Sequence, residues 1–435
     1  MGCRDPLPQL TPMAADPLRP RSYLHLDERI PREALLKLVS TPATVAKWQF
    51  LPLIMASVTT KKVWRDASGF QVKKKTRPIC YASHRDAALY AYYSQQLTKR
   101  YEALLTARGL GEAVTAFRTS DGRCNVHFAL DAFTWIEAHR PCTALAYDIS
   151  GFFDALDHQL LKKKWSEVLG RNALPADHYS IYHSLTRNAK VEQVVLYALF
   201  GISRYAPKAS GRKRICSPEQ FRKLVVEGKH LKVNPDAKGI PQGTPISATL
   251  SNIYMLEFDE RVANQVFAWG GFYRRYCDDV LCVVPPHRAV AAKAFIETLV
   301  PEIKLEVQKE KLEECTFGPP GTSIQKPLQY LGLTFNGKKI LLRSGSVGRF
   351  YSRLRKGVRV ADIARSKAAR NAGLAKTSVS IKRGKLNRAY TFTGHQNFVS
   401  YAHRAAKIAK SPAIAGQVAR RWSALDRAIR ARDRS

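Results

Sequence analysis

Two adjacent carboxylates, Asp278 and Asp279, lie between runs rich in β-branched and aromatic residues in the stretch Phe272–Val284, FYRRYCDDVLCVV. The flanks predict a tight strand–turn–strand with Cys277-Asp278-Asp279 at the bend. Like charges within about 4–6 Å resist joint ionisation, and a hard divalent cation with oxygen ligands relieves that repulsion. A polar hairpin tip that happens to hold two Asp residues is the plainer alternative, since turns favour Asp. The apolar flanks argue against it, and a third carboxylate would decide. Thr143–Ile149, TALAYDI, supplies a candidate, an apolar strand ending in Asp148. A charge at the end of a buried strand is costly unless compensated. Asp148, Asp278 and Asp279 make the minimum set for two magnesium ions. Two metals about 3.5–4 Å apart can activate a hydroxyl and stabilise a leaving pyrophosphate. Mg2+ favours a few carboxylates plus substrate phosphates, which an open site of this kind offers.

Two further stretches carry chemistry. Lys61–Ile79, KKVWRDASGFQVKKKTRPI, reads as a basic β-hairpin turning at Asp66–Gly69. It is either a solvated charged face or a basic flap that grips phosphates. In the second case Lys73, Lys75 and Arg77 would neutralise a triphosphate. Gly239–Ser247, GIPQGTPIS, is a Gly/Pro loop whose glycines let backbone approach a nucleotide closely. It opens a helix with Ile246, Leu250, Ile253, Tyr254 and Phe258 along one side.

The elements around these stretches belong to a chain of 435 residues, long enough for two or three domains. Lys and Arg total 71 against 35 Asp and Glu, a formal charge of +36. That bias suits a polyanionic partner, nucleic acid before an anionic membrane. No apolar run nears 18 residues, so a membrane partner is not expected. The N-terminus lacks an apolar signal region, and the eight scattered Cys, with no CxxC pair, fit a reduced cytoplasmic protein with neither zinc site nor disulfides. Residues 1–22 hold five Pro and predict an extended arm. Helices are expected near Arg32–Val39, over Asp86–Leu105 and at about 286–300, with a strand near Leu305–Val307. Residues 186–238 are irregular and basic and read as an insertion. Leu328–Leu342 predicts a hairpin at Asn336-Gly337. Residues 343–435 hold 23 Lys or Arg against three Asp and no Glu. Their pattern is helical, with Ser411 as a cap before Pro412 and one apolar stripe through Ile414, Val418, Trp422, Leu425 and Ile429.

In order along the chain, these motifs resemble those of the reverse transcriptases, specifically the bacterial branch with group II intron and retron enzymes. Arg77-Pro78-Ile79 is similar to the triphosphate-contacting motif of the fingers. AYDISGFFDALDH resembles the first catalytic motif, GIPQGTPISATLSNIYM the template- and nucleotide-facing motif, YCDD the YxDD box, and LQYLGLTF the primer grip. The resemblance covers roughly residues 60–342. It implies an α+β right-hand polymerase: an arm over 1–22, fingers over 23–135, a palm with an antiparallel sheet over 136–342, and a basic helical thumb over 343–435. It implies RNA-directed DNA synthesis from dNTPs with two Mg2+ ions held by Asp148, the Ile149 backbone, Asp278 and Asp279. By the same resemblance Phe153 is the bulky gate that rejects a ribose 2′-hydroxyl, Gln242 and Gly243 border the incoming nucleotide, and Lys311 protonates pyrophosphate. Lys309, two residues away, leaves a solvated lysine as the alternative for Lys311.

The chain also departs from the better-known branches. Asn188-Ala189 is not followed by the His of a retron NAxxH motif, and Thr244 replaces the second Gly of the intron-type QGG. Nothing resembles an RNase H or integrase domain. A lone enzyme of this build most resembles the type 2 defence-associated reverse transcriptases of bacteria. That implies a cytoplasmic antiphage role, a structured noncoding RNA as template and partner, and repetitive cDNA in an RNA–DNA duplex as product. Retron-type or intron-type copying, and an RNA-binding scaffold with a vestigial polymerase site, remain as alternatives. Oligomeric state is open.

Overall fold

The computed structural model describes residues 16–433 apart from 67, 119–121, 210, 309, 311, 323 and 325, without the side chains of 61–66. Residues 1–15 of the expected arm, together with Lys309 and Lys311, therefore lie outside the described residues. The strands, in chain order, are β1 (Leu53–Asp66), β2 (Gly69–Tyr81), β3 (Cys142–Asp148), β4 (Ala189–Glu192), β5 (Lys232–Val233), β6 (Phe272–Tyr276), β7 (Asp279–Val284), β8 (Glu313–Phe317), β9 (Leu328–Tyr330), β10 (Leu333–Phe335) and β11 (Ile340–Leu342).

The central sheet is antiparallel, in the order β6-β7-β3-β8. Both of its faces are covered, which explains why β7, DVLCVV, is an unbroken apolar run rather than an alternating one. One face carries Leu145, Tyr147, Val280 and Cys282 against the helices Ser247–Tyr254, Leu256–Ala268 and Ala289–Glu302. The other carries Ala144, Leu281 and Val283 against the helix Asn125–Ala138 and strands β9 and β10. Each fully buried aliphatic or aromatic side chain here contributes about 1.5–3 kcal/mol.

A second sheet runs β2-β1-β4-β5. The basic hairpin turns where expected, Asp66 pairing with Gly69. The stretch 186–238 differs from the sequence expectation. Its Ala189–Glu192 pairs in parallel with Leu53–Met55 and so extends the hairpin's sheet rather than looping out. Four residues are too few for alternation to show in sequence. The neighbouring helix His84–Ala107 is capped by Ser83, whose hydroxyl accepts from Asp86 N, and it buries Leu89, Tyr93, Leu97, Tyr101 and Leu105. No strand forms at Leu305–Val307; only an isolated bridge joins Val307 to Ile149. The Leu328–Leu342 stretch folds as three short strands rather than one hairpin, with an extra turn at Leu331-Gly332.

Beyond Leu342 the chain is helical, led by Ser344–Asn371, which spans about 42 Å at 1.5 Å per residue. Phe350, Leu354, Val358, Ile381, Leu386, Val399, Leu425 and Ile429 form a core of their own. The helix Pro412–Gln417 starts where expected, with Ser411 in the N-cap position and Pro412 at the first turn, but the Ser411 hydroxyl caps no backbone N–H; it donates to the Ile340 carbonyl and pins the helix to β11. The apolar stripe is split between the helices Pro412–Gln417 and Arg421–Asp433, so Ile414 and Val418 join the central core while Leu425 and Ile429 join the C-terminal one.

Candidate active site

β3 ends at Asp148, and the antiparallel register sets Asp148 directly opposite Asp279, the first residue of β7. Opposed residues of such a pair have Cα atoms roughly 4.5–5.5 Å apart and side chains on one face. The Ile149 N–H donates to the Asp278 carbonyl at 3.2 Å, closing the strand ends together. Cys277 and Asp278 form a two-residue turn between Tyr276 and Asp279, and Cys277 has φ +60°. Asp148, Asp278 and Asp279 are all half-buried. Burial pushes the Asp278 carboxyl above its ordinary range, the charge of Asp148 adds to the rise, and Arg77 pulls the other way. Asp148 and Asp279 thus face each other across the strand pair, Asp278 sits in the adjoining bend, and the charge of Arg77 is felt at Asp278.

Among the described residues no three His, Cys, Asp or Glu side chains form a ready-made metal cage. Mg2+ is commonly bound by one or two carboxylates together with substrate phosphates and water. The register of β3 on β7 brings strand-end carboxylates together, and a positive charge between them would offset their mutual repulsion.

The Gly/Pro loop is stitched to two neighbours. The Ile240 N–H donates to the Phe153 carbonyl at 2.9 Å, the Gly239 N–H to the Leu156 carbonyl at 2.8 Å, and the Cys80 N–H to the Gln242 carbonyl at 2.8 Å. Phe153 sits half-buried in the short helix Phe152–Ala155, five residues past Asp148. The loop therefore docks Gln242 and Gly243 against the end of β2, three residues beyond Arg77. Lys73 and Lys75 share a face of β2 with Arg77 and are exposed. At about 3.3 Å per residue, Lys75 lies roughly 7 Å and Lys73 roughly 13 Å along the strand from Arg77. The charge of Arg77 reaches Asp278, and Lys73 lies well out along the hairpin.

On the Asp279 side a cavity of about 360 Å³ is lined by Asp279, Tyr276, Asn125, Gln329, Tyr330 and Arg343, among others. The Leu331-Gly332 turn, with φ +47° and +86°, also lines it. The Asn125 side-chain amide donates to the Leu331 carbonyl at 2.8 Å and holds that turn. Nothing in the sequence marks Asn125, which is 206 residues away.

Among solved structures the chain is similar to apo telomerase from Candida tropicalis, at 11% identity over 89% of this chain and 66% of that one, with a TM-score of 0.45. A C-terminally truncated form of that protein gives 12%, 72%, 60% and 0.41. Telomerase from Candida albicans in complex with a telomeric RNA fragment gives 11%, 92%, 65% and 0.37. The chain spans less than two thirds of the length of each of these. No curated protein matches it. The model of the family described as reverse transcriptase (RNA-dependent DNA polymerase) matches residues 61–335. That match runs from the basic hairpin through the opposed aspartates to β10, well over half of the sequence, and the chain accordingly belongs to the reverse transcriptase family.

Proposed function

We propose that the protein is an RNA-directed DNA polymerase that copies a structured noncoding RNA into cDNA from dNTPs, in bacterial antiphage defence. The observation that carries the polymerase reading is the register of β3 on β7. It opposes Asp148 to Asp279 and sets Asp278 in the adjoining bend. Asp148, Asp278, Asp279 and the Ile149 carbonyl are the groups that would hold metal. Two Mg2+ ions, when bound, would activate the primer 3′-hydroxyl and stabilise the leaving pyrophosphate. Arg77 offers a fixed fork of donors to the triphosphate, and Lys75 stands next to it on the same face. The Phe153 ring excludes a 2′-hydroxyl, and Gln242 with Gly243 borders the base pair being formed. The exposed cations of the C-terminal helices hold the RNA–DNA duplex through its phosphates.

The defence role and the repetitive product rest on the subgroup resemblance. Primer extension on RNA with dNTPs and Mg2+, beside Asp278→Ala/Asp279→Ala, tests the chemistry; equal synthesis by the double variant would reject it. Phage challenge of cells carrying either form, with sequencing of RNA and cDNA bound to the protein, tests the rest. Protection that survives the double substitution would favour the scaffold alternative.

A further inference from the structure

Arg275 stands one residue before the YCDD tyrosine–cysteine pair, on the face of β6 turned away from the aspartates. Its side chain and that of Asp259 are both wholly buried, at 0% exposure. The guanidinium grips Asp259 bidentately, Nε to Oδ1 and one terminal nitrogen to Oδ2, each at 2.7 Å. The Tyr273 hydroxyl donates to the same Oδ1 at 2.6 Å. The other terminal nitrogen donates to the Cys277 carbonyl at 3.0 Å and to Asn252 Oδ1 at 3.2 Å. Asn252 lies on the helix that follows the Gly/Pro loop, and its own amide donates to the Ala116 carbonyl at 2.8 Å.

A buried ion pair is weak support for stability, because well-packed apolar residues of like volume often do as well or better. What this pair has that an apolar pair lacks is a rigid fork aimed at one backbone carbonyl. That carbonyl belongs to Cys277, a non-glycine residue at φ +60° in the first central position of a tight hairpin turn, where glycine is favoured. Such a conformation persists only where its surroundings over-determine it. We propose that Arg275 and Asp259 form a positioning hub that fixes the Cys277–Asp279 bend relative to the helix of the nucleotide-facing loop. The path is continuous: loop, helix Ser247–Tyr254, Asn252, Arg275, the Cys277 carbonyl, then the two aspartates.

The inference rests on the polymerase reading, and its test separates the two. Arg275→Lys keeps a cation beside Asp259 but loses the planar fork. We expect it to fold and to bind a preformed RNA–DNA duplex as the wild type does. We expect kcat to fall roughly 100-fold, the scale of an ångström misplacement, with dNTP KM little changed. Mn2+ affinity, read by electron paramagnetic resonance without nucleotide, should weaken roughly tenfold. A second variant, Arg275→Met/Asp259→Leu/Tyr273→Phe, replaces the hub by apolar groups. It should melt at or above the wild-type temperature and show the same loss of kcat and Mn2+ affinity. Wild-type kcat and Mn2+ affinity in either folded variant would overturn the proposal. Failure of both to fold would assign the pair to stability alone and overturn it as well. Wild-type protein that made no DNA would sink the polymerase reading instead, while the Mn2+ comparison would still report on the hub.

Discussion

Gly243→Ala is the substitution whose cost the structure defines best. Gly243 has φ +112°, and a Cβ there would lie 2.6 Å from the Cys80 carbonyl oxygen and 2.9 Å from Ile79 Cγ2. The backbone conformation alone costs an L-residue about 1–3 kcal/mol. The contact with a backbone oxygen must be relieved by moving the loop off β2, which threatens the Cys80–Gln242 hydrogen bond, worth about 0.5–1.5 kcal/mol. Together these give about 2–4 kcal/mol. If the loop must regain its docked position for each incorporation, the loss in kcat/KM is roughly 30- to 1,000-fold. The assay is single-nucleotide incorporation on a preformed RNA–DNA duplex, alongside thermal melting. Gly69→Ala is the control, because Gly69 has nearly the same φ, +113°, with nothing within 4 Å of its Cβ position. That variant carries the backbone strain without the contact and sits at the far end of the hairpin. Its incorporation rate should stay near wild type. A Gly243→Ala protein with wild-type kcat/KM and melting temperature would refute the docking argument.

Phe153→Ala should raise rNTP incorporation relative to dNTP, and an unchanged ratio would return Phe153 to a purely packing role. Asp278 tests linkage. A carboxyl whose folded pKa is raised contributes stability that is full below its unfolded pKa and lost as pH rises through the folded one. At pH above its folded pKa, without metal, the ionised Asp278 is therefore a liability. Asp278→Asn should melt higher than wild type in chelator, with the gain shrinking toward acid pH, while the Mg2+-induced rise in melting temperature diminishes. A lower melting temperature in chelator would contradict this. Finally, Arg355→Ala/Lys356→Ala/Arg359→Ala removes three exposed cations of Ser344–Asn371. It should weaken duplex binding and lower the slope of log Kd against log salt by about 0.9 per lost phosphate contact. An unchanged slope would move the duplex off that helix.

What could be read in the sequence, and what could not, divides by the range of the forces involved. The YCDD hairpin, the Asp148 strand and the Gly/Pro loop were legible because each is specified locally, by β-branched runs, turn residues and glycines within a dozen positions. Their meeting was inferred from the order of motifs, not from any local signal; the register that opposes Asp148 to Asp279 is a property of two strands 131 residues apart. The strand Ala189–Glu192 was missed because four residues carry too little periodicity, and it exists only because β1 offers an edge to pair with. Lys73 was grouped with Arg77 because sequence counts residues, whereas a strand converts four residues into about 13 Å. Arg275 shows the opposite case. A charged residue in an apolar strand was visible in FYRRYCDD, yet alternation points Arg274 and Arg275 to opposite faces. Only the packed helices show that Arg275 faces the interior and finds Asp259 there. The proposed catalytic carboxylates are thus announced by their own neighbours, while Asp259 and Asn252, which hold Arg275, come from helices outside the hairpin. If the hub variants behave as expected, the positioning of the bend depends on those distant groups as much as on the motif itself.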